Sequence, residues 1–201
     1  MPEAAMNEQR RQLLAGGMLG AAAMLSAACT QIAVAAPQLA AAPTRRPPPG
    51  KAGDFSFLTG EWKINHRRMK APGDWDVFEG EATVVEILAG VGSIEELRIP
   101  ARNFSGMGLR LLDIDNQTWN DFWVNGRSGV LTTPGQTGGF ENGAGVFEAD
   151  DVDGDQPIKV RGVWDEITPS SCRWWQAISR DGGKTWEENW VMKWVRVADK
   201  A

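Results

Sequence analysis

The chain has 201 residues, with 21 Lys and Arg against 26 Asp and Glu and a formal net charge of −5. An acidic chain without a basic stripe argues against nucleic acid and anionic membranes as partners. Two cysteines and one histidine are too few for a disulfide scaffold or a zinc site of the usual type.

Residues 1–35 read as a twin-arginine-type signal peptide. In "QRRQLLAGGMLGAAAMLSAAC" a basic start precedes an apolar run and small residues. Arg10 and Arg11, followed by Gln12, Leu13 and Leu14, supply the twin-arginine pattern. Gly16, Gly17 and Gly20 interrupt the run, which falls short of the ~20 apolar residues of a spanning helix. No membrane span is therefore expected in the mature form. "AVA" at residues 33–35 offers a signal-peptidase cut. Cys29 offers a lipid anchor instead, although Ser26 stands where a lipobox has leucine. Either exit implies a periplasmic protein.

"APQLAAAPTRRPPPGKAG", residues 36–53, is a stiff, solvated, Pro/Ala-rich linker. Arg45, Arg46 and Lys51 lie in it, so the remaining chain is more acidic than the whole. Only Cys172 falls in the expected mature domain, residues 54–198, which must then be stabilised by its core.

That domain reads as strands and turns throughout. "EWKINHRRM", "EGEATVVEIL", "SIEELRI" and "MGLRLLDI" alternate, and "QTWNDFWVN", "GVFEAD", "PIKVRGVWDEI", "CRWWQAIS" and "TWEENWVMKWVRV" follow. Turn signals separate them: "APGD", "AGVG", "DIDNQ", "NGRSG", "PGQTGG", "DVDGDQP" and "RDGGKT". No window holds a helical period. Short strands with glycine turns imply an antiparallel up-and-down barrel or a sandwich, and a barrel removes exposed edges. "DFSFL" ahead of the first strand is short enough to be a turn of helix plugging one end.

Gly60-Glu61-Trp62 resembles the Gly-x-Trp signature of lipocalins. "FLTGEWKINHRR" near the start and "SRDGGKTWEENWVM" near the end resemble a bacterial family of domains of unknown function in the calycin, or lipocalin-like, superfamily. Between them "GMGLRLLDIDNQTWNDFW" is similar to that family's middle segment. The resemblance covers residues 54–197. It implies an all-β, antiparallel up-and-down calycin-like barrel of about 8–10 strands; the export segment read from residues 1–35 is expected to be a disordered N-terminal part ahead of it. It implies almost nothing about reaction type.

Residues two apart on a strand share a face. If the barrel closes, antiparallel pairing of its first and last strands sets Arg196 beside Trp62, Trp194 beside Ile64, Met192 beside His66 and Trp190 beside Arg68. Arginine on an indole face is favourable by ~0.5–2 kcal/mol, and Arg196 over Trp62 resembles the closure of lipocalins. His66 then points inward, as the candidate acid/base group. Its bland alternative is a structural histidine with a local partner. Arg68 and Arg110 are candidate ligand-binding cations, or ion-pair partners of Glu95 or Glu96. Trp123, Trp190, Met192 and Gln176 complete the candidate ligand wall, with core filling as the simpler role for the indoles.

"SRDGGKTW" has the Asp-box pattern of propellers but occurs once, so Asp181 and Trp186 are read as structural parts of a hairpin. "DDVDGDQP" lacks the glycine and glutamate of a calcium loop, since Gln156 and Gly162 hold those places. No metal site and no cofactor is expected: no phosphate loop, dinucleotide fingerprint or nucleophile elbow is present, and His66 would be a heme's sole protein ligand.

These features imply an exported barrel binding a small apolar or aromatic molecule. The alternatives are a cofactor-free lyase or isomerase using His66 on an aromatic compound, and a structural or partner-binding envelope module. The sequence leaves the oligomeric state open.

Overall fold

A computed structural model describes residues 46–197. The signal segment at residues 1–35, with Arg10, Arg11 and Cys29, and the linker up to residue 45 lie outside the described residues. Ten strands follow in chain order: β1 (Gly60–Ala71), β2 (Asp74–Ile87), β3 (Gly92–Ile99), β4 (Phe104–Asp113), β5 (Thr118–Asn125), β6 (Gln136–Glu141), β7 (Ala144–Asp153), β8 (Gln156–Asp165), β9 (Ser171–Ser179) and β10 (Glu187–Arg196). Each pairs with its neighbours in sequence, and β1 pairs antiparallel with β10, so the sheet closes on itself. Closure leaves no row of unpaired backbone groups at an edge.

The seam is the one that the alternating pattern implied. Trp62 opposes Arg196, Ile64 opposes Trp194, His66 opposes Met192, and Arg68 opposes Trp190. Trp62, Ile64 and His66 are buried while Lys63, Asn65 and Arg67 are exposed. A slip by one residue would bring Lys63 and Asn65 inside, so this face pattern pins the register.

β6 departs from the sequence reading, which took "PGQTGG" as a turn. Its glycines serve close approach instead. A Cβ on Gly138 would lie 2.0 Å from the Val146 carbonyl oxygen, and one on Gly139 would lie 2.4 Å from that of Pro48. The true turn is Asn142-Gly143, where both φ angles are positive, 54° and 80°. It closes a two-residue hairpin on the Glu141–Ala144 pair.

A 3₁₀ turn at Ser56–Leu58 plugs one end of the barrel with Leu58, and Phe55 caps the turn. The Phe55 ring lies edge-on to Trp119 and to Phe140, with both centroids 4.9 Å away. Trp62 Nε1 donates to the Leu58 carbonyl at 2.7 Å. Arg196 lies 4.2 Å over the Trp62 ring and donates to the carbonyls of Phe57, Thr59 and Pro169. Gly60 makes room for it: its φ is +126°, and a Cβ there would sit 2.5 Å from Arg196 Nη1. The last part of the proline-rich segment is pinned across the same end. Gly50 N–H donates to Gln117 O at 2.7 Å and Gly53 N–H to Gly90 O at 3.0 Å.

Candidate functional site

The other half of the barrel is hollow. A cavity of about 580 Å³ runs from the aromatic plug to the opposite end. Its mouth lies among Lys70, Pro72, Ser128, Thr133, Arg180 and Glu187, in and beside the turns after β1, β5 and β9. Its size falls within the range of small-molecule pockets. Period-two alternation turns alternate residues of each strand inward, so Trp123, Trp174, Gln176, Ile178, Trp190 and Met192 line the wall. Trp174 and Trp190 meet edge-on at 5.9 Å. Gln176 Nε2 donates to Asn189 Oδ1 at 3.1 Å. Arg68 also lines the cavity, 5.1 Å from the Trp190 ring centroid. Trp175 faces the other side of β9 and donates to Asp165 at 2.9 Å.

At the floor, three adjacent strands bring Arg110, Glu95 and Asp121 together. Arg110 opposes Asp121 across β4 and β5, and Glu95 opposes Gly108 across β3 and β4. Gly108 leaves space for the pair: a Cβ there would sit 3.1 Å from Arg110 Nη2 and 3.3 Å from Glu95 Oε2. Arg110 Nη2 donates to Glu95, and both side chains are almost fully buried. Asp121 Oδ1 lies 3.6 Å from Arg110 Nε, an ion pair longer than a hydrogen bond. Arg110 Nε and Nη1 have no hydrogen-bond partner among the described residues. Glu96, adjacent in sequence, faces outward and pairs with Arg98 at 2.9 Å.

Burial pushes the Asp121 carboxyl up to about 6; Arg110 opposes the rise and Glu95 adds to it. Burial lowers the Arg110 value, but Asp121 and Glu95 more than offset it, so the guanidinium stays charged. Asp121 was not singled out from the sequence. Its signal was available, because it shares the inward face of β5 with Trp119 and Trp123.

His66 points inward, but it stands behind the wall and does not line the cavity. Its ring has no exposed surface and is stacked on Phe78, with centroids 4.6 Å apart and planes 7° from parallel. Trp190, which does line the cavity, donates from Nε1 to His66 Nδ1 at 3.3 Å. Nδ1 is thus the acceptor, and in the neutral ring Nε2 carries the proton. Nε2 is buried without a partner, close under Gly80, where a Cβ would lie 2.5 Å from it. Burial and the charge of Arg102 lower the imidazole to about 4. Arg102 lies 3.4 Å from the Phe78 centroid and pairs with Asp76 at 2.7 Å. The titratable group that meets the cavity with a value near neutrality is therefore Asp121.

Asp181 organises the β9–β10 hairpin. It accepts the amide hydrogens of Lys184 and Thr185 at 3.0 and 2.9 Å, which holds its carboxyl well below the usual range. Gly182 and Gly183 take positive φ, and Trp186 donates to the Gly183 carbonyl at 3.0 Å. Arg161 lies 3.8 Å over the Trp186 ring. Asp151 lies at the cavity mouth within β7. Among the described residues no group of three or more His, Cys, Asp or Glu is placed to hold a metal ion. Among them, too, no helix is long and apolar enough to cross a membrane.

No family model matches the chain, and no curated protein matches it. A similar solved structure is that of a protein of unknown function from the DUF3598 family of Nostoc punctiforme, at 13% identity and a TM-score of 0.40. The match covers 76% of this chain and 50% of that one, so this chain spans about half the length of that protein.

Proposed function

We propose that the barrel binds a small apolar or aromatic molecule inside its cavity. The observation that carries this reading is the combination at one place of about 580 Å³ of space, indole walls and a charged floor. Apolar walls supply most of the binding free energy through burial, and a few polar groups orient the ligand. Arg196 over Trp62 supports a place for the chain in the calycin-like superfamily.

Filling the cavity tests the reading. Ile178 and Val160 are buried residues that line it. Ile178→Trp and Val160→Trp each add an indole where there is open space, so the fold should survive by circular dichroism. The protein should bind a neutral fluorescent probe such as N-phenyl-naphthylamine, and both variants should bind it about 10-fold or more weakly. Unchanged binding in both would place the probe elsewhere and remove the proposal.

We also propose that the protein acts in the periplasm after twin-arginine export. The support is Arg10 and Arg11 ahead of an interrupted apolar run. Arg10→Lys with Arg11→Lys should leave the protein in the cytoplasm on fractionation. Full export of that variant would rule out this route.

A further inference from the structure

Of the three charged side chains at the cavity floor, Asp121 keeps the most surface open. It is 18% exposed, against 4% for Arg110 and 5% for Glu95. It faces inward and lines the cavity, so that surface is what a ligand coming down from the mouth meets. Arg110 does not use the carboxylate up. Its Nη2 donates to Glu95, whereas Asp121 Oδ1 lies 3.6 Å from its Nε, beyond hydrogen-bond length. One cation stands against two carboxylates, so with both ionised the floor is net negative and Asp121 is its reachable part.

The neighbours of Asp121 suit a cation. Trp123, two residues on along the same inward face, and Gln136, opposite Asp121 on β6, both line the cavity. An indole face attracts a positive charge, and an amide oxygen accepts from one. The other cations of the lining have carboxylates of their own. Arg68, on the far side of the barrel, is opposite Asp76 on β2 and feels its charge. At the mouth Lys70 lies 3.4 Å from Asp74, and Arg180 lies 2.6 Å from Asp153. A ligand carboxylate at the floor would add a third like charge in a poorly solvated place. An uncharged ligand would strip water from Asp121 and return little. An ammonium supplies donors and the opposite charge together. We propose that the cavity takes small aromatic or apolar amines, with the ammonium against Asp121 and the apolar body between the indole walls. The inference rests on the reading that the cavity binds a small molecule.

Three probes of similar size test it on the full chain by calorimetry: naphthylmethylamine, naphthylmethanol and naphthalene carboxylate. At about pH 7.5 the amine should bind about 10-fold or more tightly than either of the others. Asp121 takes up a proton as pH falls through about 6. Amine affinity should therefore drop about 10-fold between about pH 7.5 and about pH 5, while that of the alcohol stays level. Asp121→Asn should remove the advantage of the amine and leave the alcohol bound as before. Should that variant fail to fold, the pH comparison on the wild-type protein carries the test. An amine that binds no more tightly than the alcohol at the higher pH would overturn the assignment and leave cavity binding intact. An amine affinity indifferent to loss of the Asp121 charge would do the same. Binding of none of the three would remove the underlying reading as well.

Discussion

Replacing Arg110 by methionine should lower the free energy of unfolding by about 3–5 kcal/mol near neutral pH. Methionine fits the space of the alkyl stem, so the loss is electrostatic in origin. It leaves Glu95 and Asp121 close together in a poorly solvated place with no cation between them. Asp121, whose carboxyl burial has already raised to about 6, can answer by taking up a proton, so the penalty should shrink at about pH 5. A variant with Arg110→Met, Glu95→Gln and Asp121→Asn together should recover most of the loss, because the unpaired charges go with their partner. Urea unfolding at the two pH values measures all of this. A single variant within about 1 kcal/mol of the wild type would mean that solvent reaches the floor well enough to make the guanidinium dispensable.

The second expectation concerns acid. His66 has a folded value of about 4 against 6.5 in an unfolded chain. Between those values the unfolded state binds the proton and the folded state does not, so His66 makes stability rise with pH across that window and fall on acidification. Asp121 acts in the opposite sense. Its folded value of about 6 lies above the ordinary 3.8, so the folded state holds the extra proton and stability falls as pH rises from 3.8 to about 6. Each effect is on the order of 2–3 kcal/mol, with Asp121 the smaller because its side chain keeps 18% exposure. The two slopes largely mask each other in the wild type. His66→Gln should unmask the downward slope with pH and Asp121→Asn the upward one. Three parallel curves of unfolding free energy against pH would show that neither group is perturbed.

What the sequence revealed follows from what is local in it. The seam of β1 with β10 was legible because period-two alternation fixes a face and the two faces had to match. The same rule turned Arg68, Trp190 and Met192 inward, whereas Arg110, Trp123 and Gln176 are candidates by residue type; all six line the cavity. β6 was not legible, since its paired glycines look like a turn until Val146 and Pro48 are seen beside them. The Asn142-Gly143 hairpin was a readable clue that passed unread. Periodicity could turn His66 inward, but it could not show that Phe78 and Trp190 would close over the ring. The inward face of Asp121 is legible within β5, but its raised carboxyl depends on burial and on Arg110 across in β4, which no spacing within β5 encodes.

An even number of strands running up and down has a geometric consequence. The described chain enters and leaves at the same pole: Gly50 is fixed to Gln117 at the plugged end, and Val197 N–H donates to Glu61 O at the root of β1. The entrance to the hollow lies at the other pole. A resin, fused partner or lipid attached close to either end of the described residues would therefore grip the barrel by its base and leave the opening turned outward, free to exchange small molecules with its surroundings.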